Sequence, residues 1–461
     1  MKIELKTYNR SLFLFRRDLR LEDNTGLNAA LSRSRETIPA FHLNPEQIEE
    51  HPYRSEPGLH FMLLSLRILA DRLAEIGSRL SVFHGGMEDI LKKWIQELKV
   101  EAIWVNRDYT PYSAKRDSAI EAICKNLGAD FHSCSDALLL EPESALKKDG
   151  SPYTIFTPFY NNARQRPIPK PDNLDVASKS FARKSYGEEM EPLFQSIVSS
   201  LPPTQASPEP GNRPRAILDN LANLRSYATE RDLPALESTS NLSPHLKFGT
   251  CSPRQAYWSI ARSLGSEHPL IRQLYWRDFL THIGFHFPHV FGASFKAKYE
   301  GIAWENDPSK FDAWKAGNTG FPIVDAGMRQ LNATGGMHNR VRMIVASFLT
   351  KDLHIDWRWG ERYFAQRLVD YDPCVNNGNW QWAASTGCDA QPYFRIFNPW
   401  RQQLRFDPEA VYIKRWVSEL ESAPTKEIHS PKPSLFKGDY PEPIVDHARA
   451  SQKARMLFEG L

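Results

Sequence analysis

Short apolar runs and amphipathic segments alternate over the first 135 residues of the chain. The apolar runs are rich in β-branched and aromatic residues and predict five strands: Ser11–Arg16, Ile38–Leu43, Leu80–His84, Ile103–Asn106 and Phe131–Cys134. Between them, two segments with helical apolar spacing predict helices at Leu59–Ile76 and Met87–Leu98. This alternation is typical of a doubly wound parallel α/β sheet, so we expect residues 1–135 to form such a domain.

The periodicity fades between residues 136 and 215. Nine of the 33 prolines lie between Pro167 and Pro214, with serine and lysine around them. This composition predicts a long linker that crosses a surface. After it the pattern is helical, and a last short helical pattern covers Asp446–Phe458. The chain is therefore expected to join its α/β domain, through a linker at residues 136–215, to an all-α domain at residues 216–461.

The composition is that of a soluble globular protein, with 41% hydrophobic and 25% charged residues. A net charge of only +3 means that any nucleic-acid surface must be a local patch. The five cysteines form no C-x-x-C motif, so no metal site or disulfide framework is indicated. The first residues lack the apolar segment of a signal peptide, and the apolar run Met343–Leu349 is too short to span a bilayer. We expect a cytoplasmic protein that does not contact membranes.

One predicted helix, Met337–Leu349, carries an unusual polar face. Asn339, Arg342 and Met343 follow the spacing i, i+3, i+4 and share this face, whereas Arg340 is turned about 100° away. An amide, a guanidinium and a thioether together suit contact with a flat, polar, anionic ligand. The alternative is a surface helix with solvated arginines. Paired aspartates and a W-Q-W triplet follow in the sequence and favour the ligand.

Two further patterns have both a structural and a functional interpretation. The sequence T-S-N-L-S-P at 239–244 predicts Ser243 as a helix N-cap with proline at the first helical position. Its hydroxyls could bind phosphate or simply cap the helix. Between Arg225 and Arg405, basic residues alternate with tryptophan and tyrosine. This mixture suits an opened or single-stranded nucleic acid, although packing and salt bridges in an aromatic-rich core would use the same residues.

Motifs along nearly the whole chain resemble the cryptochrome/photolyase flavoproteins. They are F-R-R-D-L-R-L-E-D-N, E-R-D-L-P-A-L-E-S-T-S-N-L-S-P, Y-W-R-D-F, G-F-P-I-V-D-A-G-M-R-Q-L and Y-F-R-I-F-N-P. Within that family, M-H-N-R-V-R-M followed by N-N-G-N-W-Q-W-A-A-S-T-G resembles the class I cyclobutane pyrimidine dimer photolyases. The resemblance implies an α/β antenna domain, a linker and a helical domain that binds FAD. It also implies a monomeric enzyme in which reduced flavin, excited by light, donates one electron to a flipped-out thymine dimer in UV-damaged DNA.

The resemblance assigns roles to individual residues. The flavin phosphates and adenosine side would be held by Tyr227, Thr239, Ser240, Leu242 and Ser243. The middle of the flavin would be lined by Arg277, Asn339, Arg342, Asp370 and Asp372, and its N5 would face Asn376. The dimer would be clamped by Trp276, Met343 and Trp382, with Arg231 and Arg340 on the DNA side. The electron-transfer chain from flavin to surface would be Trp380, Trp357 and Trp304.

The resemblance further implies a second, light-harvesting chromophore. The strand-end segments Arg16–Asp18 and Asn106–Tyr112 are expected to border its pocket. They look closer to relatives that use a deazaflavin or flavin antenna than to relatives that use methenyltetrahydrofolate. No G-x-G-x-x-G motif follows the first predicted strand, so an ordinary dinucleotide site is not indicated there.

The sequence departs from the class I pattern at two positions. Gln273 stands where class I enzymes usually have glutamate, which keeps hydrogen bonding to a thymine edge but removes the charge. Gly336 stands where many relatives have tryptophan, so that wall of the pocket is expected to be more open.

Two other activities remain as alternatives. A (6-4) photolyase needs active-site histidines, but the matching positions hold Asn339 and Met343, leaving only His338. A cryptochrome, which senses light with little repair, usually has aspartate or cysteine where Asn376 stands. A plain nucleotide-binding or electron-transfer flavoprotein would not need the aromatic clamp.

Overall fold

Five strands form one fully parallel sheet in a computed structural model of the chain, in the order β3-β2-β1-β4-β5. The strands are β1 (Tyr8–Phe15), β2 (Ser34–Leu43), β3 (Ser81–His84), β4 (Ala102–Asn106) and β5 (Asp130–Cys134). Each overlaps a strand that the apolar runs predict, so the parallel α/β sheet is confirmed. The structure describes residues 6–172, 180–201, 213–236, 238–432, 438–459 and 461.

Helices connect the strands of the sheet. They are α1 (Thr25–Arg33), α2 (Pro45–Ile48), α3 (Glu56–Glu75), α4 (Met87–Lys92) and α5 (Pro111–Leu127). The predicted helix Leu59–Ile76 is confirmed as α3, whereas Met87–Leu98 begins as α4 and continues as a π-helical turn at Lys93–Glu97. Helices α1 and α5 were not predicted. The buried residues of α5 are few, so its sequence lacks the broad apolar stripe by which a surface helix is detected.

The sheet buries both of its faces, which explains why its strands are nearly continuous apolar runs. On β1, Phe13 and Phe15 enter one hydrophobic cluster and Leu12 and Leu14 enter the other. Helices α1 and α3 cover the first face, and α4 and α5 cover the second. The carboxyl ends of β1 and β4 meet at one edge of the sheet, where the helical half of the chain packs.

The predicted linker contains regular structure. Its described part includes α6 (Phe156–Ala163) and α7 (Met190–Ser199), and α8 (Arg213–Asp219) begins near its end. Phe156 and Phe159 of α6 join a hydrophobic cluster of the helical half, while Phe194 of α7 joins a sheet-face cluster. The linker is therefore packed against both halves of the chain. The proline-rich stretches at residues 173–179 and 202–212 lie outside the described residues.

The rest of the chain is helical, as predicted. Its helices are α9 (Tyr227–Glu230), α10 (Ser243–Phe248), α11 (Pro253–Leu264), α12 (Pro269–His286), α13 (Pro308–Ala316), α14 (Pro322–Thr334), α15 (Asn339–Lys351), α16 (Trp357–Arg367), α17 (Pro373–Ala384), α18 (Pro399–Phe406), α19 (Val411–Trp416), α20 (Thr425–Ile428) and α21 (His447–Glu459). The last predicted helix, Asp446–Phe458, is confirmed as α21. Across the described ranges, every helix is too short or too polar to cross a bilayer.

A buried ion network joins the two halves. Asp136, which follows β5, accepts two hydrogen bonds from Arg20 at 2.8 and 2.7 Å and one from Arg254 of α11 at 2.8 Å. Arg254 also binds the carboxylate of Asp23 at 3.1 Å. Burial alone would raise the pKa of Asp136, but the two guanidinium groups outweigh it and hold this pKa at about 2. The network therefore depends on an ionised carboxylate at the junction.

Asp136→Asn should lower the free energy of unfolding at pH 7 by about 3–5 kcal/mol, because two buried guanidinium groups lose their shared counter-charge. The folded-state pKa of Asp136 lies below its unfolded value of about 3.9. Its stabilisation is therefore present above about pH 4 and is lost as the pH falls toward 2. Urea titrations between pH 7 and pH 3 should show the difference between wild type and variant shrinking below pH 4.

Lys92→Ala is the control for this measurement, because it removes an exposed ion pair with Glu88 and should leave the urea midpoint unchanged. Equal midpoints for wild type and Asp136→Asn at pH 7 would show that the network does not stabilise the junction.

Candidate functional site

Helices α12 and α17 frame a concavity. Trp276 of α12 and Trp382 of α17 both line it. The two helices approach closely at Gly378, where a Cβ atom would lie 2.5 Å from the Leu280 side chain. The structure therefore brings together two of the three residues predicted to clamp a ligand.

The third predicted clamp residue, Met343, lies on α15. Within the described part of the chain, it is not among the residues that line this concavity. It shares a helix face with Asn339, whose Nδ2 donates to the Met343 sulfur at 3.8 Å. Arg340 is turned away, pairs with Asp232 at 2.9 Å and lies 4.4 Å from the Phe406 ring centroid. The helix face predicted from the spacing is thus present, but its contact with the concavity stays a prediction.

The two positions that depart from the class I pattern are both half-buried. Gln273 precedes Trp276 by three residues on α12, and its Nε2 makes a weak 3.4 Å hydrogen bond to the Pro269 carbonyl. A Cβ atom at Gly336 would meet a single neighbour, the Thr334 hydroxyl at 3.6 Å. The chain therefore leaves space beside Gly336, while its place at the wall of a ligand pocket stays a prediction.

Asp372 caps the N-terminus of α17, as its position before the proline allows. Its Oδ1 accepts from the backbone N–H groups of Cys374 and Val375 at 3.0 and 3.2 Å. Its other oxygen accepts from Arg17 at 2.5 Å. Arg17 lies in the turn that follows β1, so a residue of the sheet half holds the start of the helix that carries Trp382.

Three cations surround Asp372: Arg17, Lys247 and Arg277. Burial by itself would raise the pKa of Asp372, but these cations outweigh it and hold the pKa well below its usual range. Burial, aided by the neighbouring Arg17, lowers the pKa of Lys247 to about 8. Arg17 and Lys247 are both missed by the sequence interpretation of this site. Arg17 stands in the F-R-R-D-L-R motif, but nothing local links that motif to a residue 355 positions later.

A second arginine–carboxylate pair lies beside this group. Arg342 places its two terminal nitrogens 3.2 and 3.0 Å from the two Asp370 oxygens, and its Nε donates to the Met337 carbonyl at 2.8 Å. A fork of this kind fixes the guanidinium plane. Arg277 donates to the Ala137 carbonyl at 2.6 Å and is likewise held in place.

Asn376 is buried one turn into α17. Its Nδ2 donates to the Glu361 carbonyl of α16 at 3.0 Å, while its amide oxygen accepts no hydrogen bond from the described residues. Burial raises the pKa of the Glu361 carboxyl to about 7. Glu361 is a further residue that sequence analysis missed, because its proximity to Asn376 depends on how α16 and α17 pack.

The three predicted electron-transfer tryptophans belong to one hydrophobic cluster. Trp380 and Trp357 are fully buried and Trp304 is half-buried. The Trp380 ring occupies the space next to Gly360, where a Cβ atom would lie 2.2 Å away. Trp380 therefore points into the core while Trp382, two residues later on α17, lines the concavity, as their spacing predicts.

The residues predicted to hold phosphates lie on α9 and before α10. Tyr227 is buried at the start of α9. The guanidinium carbon of Arg231 lies over the Tyr227 ring, 5.5 Å from its centroid. Among the described residues, the Thr239 hydroxyl donates to the Asn241 side chain at 3.4 Å, and the Ser240 hydroxyl accepts from the Leu242 N–H at 3.4 Å.

The prediction that Ser243 is an N-cap is wrong. The N-cap of α10 is Leu242, whose backbone is already near-helical at φ −78° and ψ −10°, and no side chain among the described residues caps this helix. Ser243 is instead the first helical residue and is exposed. The helix thus starts one residue earlier than the cap motif indicates. Ser243 already lies within the first turn, whereas a capping serine has non-helical backbone angles and precedes that turn.

Ser243→Ala should leave the thermal stability of ligand-free protein unchanged, because the hydroxyl caps nothing in this structure. A serine that capped α10 would cost about 1 kcal/mol on replacement by alanine. Ser252→Ala is the matched control, since Ser252 does cap α11 by accepting from the Gln255 N–H at 2.9 Å. Equal losses for the two variants, measured by calorimetry, would contradict the assigned cap.

Two family models match the chain. One described as the FAD binding domain of DNA photolyase matches residues 270–460, and one described as DNA photolyase matches residues 11–174. The deoxyribodipyrimidine photo-lyase of Alkalihalophilus pseudofirmus is 38% identical, over 97% of this chain and 97% of that protein.

Solved structures give a matching comparison. The archaeal photolyase from Sulfolobus tokodaii, solved with two FAD molecules, is 42% identical, with a TM-score of 0.87 over 98% of this chain and 100% of that one. The class III photolyase from Agrobacterium tumefaciens is 35% identical, with a TM-score of 0.88 over 100% of this chain and 99% of that one.

Proposed function

This chain belongs to the DNA photolyase family, and from that premise we propose that it repairs cyclobutane pyrimidine dimers in DNA with light and reduced FAD. FAD bound in this site would supply, once reduced and excited by light, the electron that splits the cyclobutane ring. The observation that carries the proposal is the geometry of α17. This helix places Trp382 at the concavity that Trp276 also lines, and it places Trp380 in the core. Asn376 is buried one turn before Trp380 on the same helix. One rigid helix thus links a lesion pocket to a cofactor site.

The residues around Asn376 fit a flavin. The amide oxygen of Asn376 faces no protein donor in the described residues, so it is available to flavin N5. The Arg342–Asp370 fork and the ionised Asp372 supply fixed charges for the middle of the cofactor. We assign the remaining contacts to the residues that the family resemblance implies: Tyr227, Thr239, Ser240, Leu242, Ser243, Arg277 and Asn339.

We assign the Trp276 and Trp382 side chains, which both line the concavity between α12 and α17, to contact with the flipped-out thymine dimer. Trp276 and Trp382 offer aromatic surfaces on which thymine rings can stack, and Gln273 can hydrogen-bond a thymine edge. The extrusion of a base costs least for a lesion that already stacks badly, which favours the dimer. Arg231 and Arg340 would contact phosphates, and Arg340 would then exchange Asp232 for DNA. Met343 lies outside the described lining of the concavity, and we assign it to the clamp from the family resemblance alone.

The tryptophans Trp380, Trp357 and Trp304 form the proposed path that reduces oxidised flavin. Trp380 and Trp357 are 2% and 0% exposed, whereas Trp304 is half-buried and is the most exposed of the three. A path from a buried cofactor to the surface needs such an exposed outer member.

We further assign a second chromophore of the deazaflavin or flavin type to the carboxyl edge of the sheet. Buried guanidinium nitrogens of Arg16, Arg17 and Arg116 have no hydrogen-bond partner among the described residues there. Such donors suit an anionic ligand, and the relative from Sulfolobus tokodaii holds a second FAD.

We also propose that the protein is a cytoplasmic monomer. Its α/β domain would span residues 1–135, its linker residues 136–215 and its helical domain residues 216–461. Five free cysteines agree with a reducing compartment.

Light-dependent repair of defined lesions tests the proposed function. Purified protein should bind about one FAD per chain, restore cyclobutane-dimer DNA under blue light and leave (6-4) lesions unrepaired. Repair of (6-4) lesions alone would support the (6-4) photolyase, and flavin binding without any repair would support a light sensor.

Trp276→Ala should weaken binding to dimer-containing DNA about ten- to a hundredfold, since base stacking contributes about 1–3 kcal/mol per ring.

Undamaged DNA is the control, because its binding rests on phosphate contacts and should hardly change in Trp276→Ala. Arg340→Ala should instead weaken both DNAs and reduce the salt dependence of binding. Equal losses for Trp276→Ala on damaged and undamaged DNA would remove the dimer-specific assignment.

Trp380→Phe should slow photoreduction of oxidised flavin severely, because phenylalanine is much harder to oxidise than tryptophan, while chemically reduced variant should still repair. Trp314→Phe is the matched control. The ring centroids of Trp314 and Trp380 are 6.2 Å apart in the same core, but Trp314 lies outside the proposed path. Flash-photolysis rates that fall only in Trp314→Phe would place the path elsewhere.

A further inference from the structure

Phe156 lies face to face on Trp276. The two ring centroids are 3.6 Å apart and the ring planes differ by 8°. Phe156 is the first residue of α6, in the linker segment, and is 1% exposed. Trp276 lines the concavity, whereas Phe156 is not among its lining residues in the described chain. Trp276 therefore has one face against the linker, meets the Phe279 ring in a T-shaped contact with centroids 5.7 Å apart, and lines the concavity.

Other contacts hold Phe156 in this position. Its backbone N–H donates to the Asp389 carboxylate at 2.9 Å, and Asp389 itself lines the concavity in the loop after α17. On α12, the Arg272 guanidinium lies 5.1 Å from the centroids of both Phe156 and Tyr160. Tyr160 also stacks on Phe156, with centroids 5.7 Å apart. The linker, α12 and the loop after α17 thus meet around one phenylalanine ring.

We propose that Phe156 is a positioning residue for lesion recognition, which fixes the Trp276 ring in the orientation that the dimer needs. The inference rests on the proposed function. A tryptophan on the rim of a pocket has two free side-chain torsions, and binding must pay for their immobilisation unless the ring is already held. A flat partner pressed on one face removes that cost, because the indole can rotate only by breaking the stack. The linker is thus part of the lesion-binding site.

The stack also predicts which substitutions it tolerates. Leucine at position 156 would keep an apolar side chain of similar burial but would lose the flat surface, whereas tyrosine would keep the ring. Phe159 offers a matched control on the same helix. It is equally buried in the same hydrophobic cluster, and its ring centroid lies 5.3 Å from that of Phe279 and 5.2 Å from that of His282. In the described part of the chain it makes no ring contact with Trp276.

The experiment compares Phe156→Leu, Phe156→Tyr, Phe159→Leu, Trp276→Ala and the double variant Phe156→Leu/Trp276→Ala as FAD-loaded protein. Dissociation constants are measured for one oligonucleotide with and without a single cyclobutane dimer. Phe156→Leu should weaken dimer binding about three- to tenfold, in the range of an aromatic pair, and leave undamaged DNA unchanged. Phe156→Tyr should retain most of the dimer preference. In the Trp276→Ala background, Phe156→Leu should have no further effect.

The outcomes separate the two proposals. If Trp276→Ala removes the dimer preference while Phe156→Leu binds like wild type, the inference is overturned and the proposed function stands. An equal loss in Phe159→Leu, or an additive loss in the double variant, also overturns it, because general loosening of the core would explain both. If Trp276→Ala leaves the preference intact, the proposed lesion site fails and the inference fails with it.

Discussion

The charge on Asp372 is the constraint on which the site depends. This carboxylate caps α17, and its second oxygen is held by Arg17 from the sheet half of the chain. A buried carboxylate without that partner would be strongly destabilising, so neither half can shift without exposing an uncompensated charge. The same junction contains Asp136 between Arg20 and Arg254. Ion pairs thus fix the start of α17 relative to the sheet, and they do so at the point where both proposed chromophores approach.

Fixing the start of α17 fixes three chemically different surfaces. Asn376 meets α16, Trp380 enters the core, and Trp382 reaches the concavity opposite Trp276. Two glycines make these approaches possible, because Gly360 admits the Trp380 ring and Gly378 admits α12. In a close-packed interior, a side chain at either position would displace one of these surfaces. The proposed cofactor site, electron path and lesion pocket therefore share a single rigid support.

The linker contributes to this support rather than merely connecting the domains. Phe194 of α7 is buried against the sheet, and Phe156 of α6 is buried against Trp276. A segment that packs on both halves gains stability from each of them and restricts their relative motion. This explains how a region with little periodicity and many prolines remains ordered over its described part.

Local pattern determined the sheet, α3, α15 and the family, because apolar spacing and contiguous motifs are properties of neighbouring residues. The pair of tryptophans in the W-Q-W triplet could be assigned to two different surfaces from helix geometry alone. The cap predicted at Ser243 was wrong by one position, because the S-P motif does not show which residue begins α10. Arg17 meets Asp372 across 355 residues, and Phe156 meets Asp389 across 233. Only the tertiary structure decided those contacts, because long-range packing has no periodic signal in the sequence.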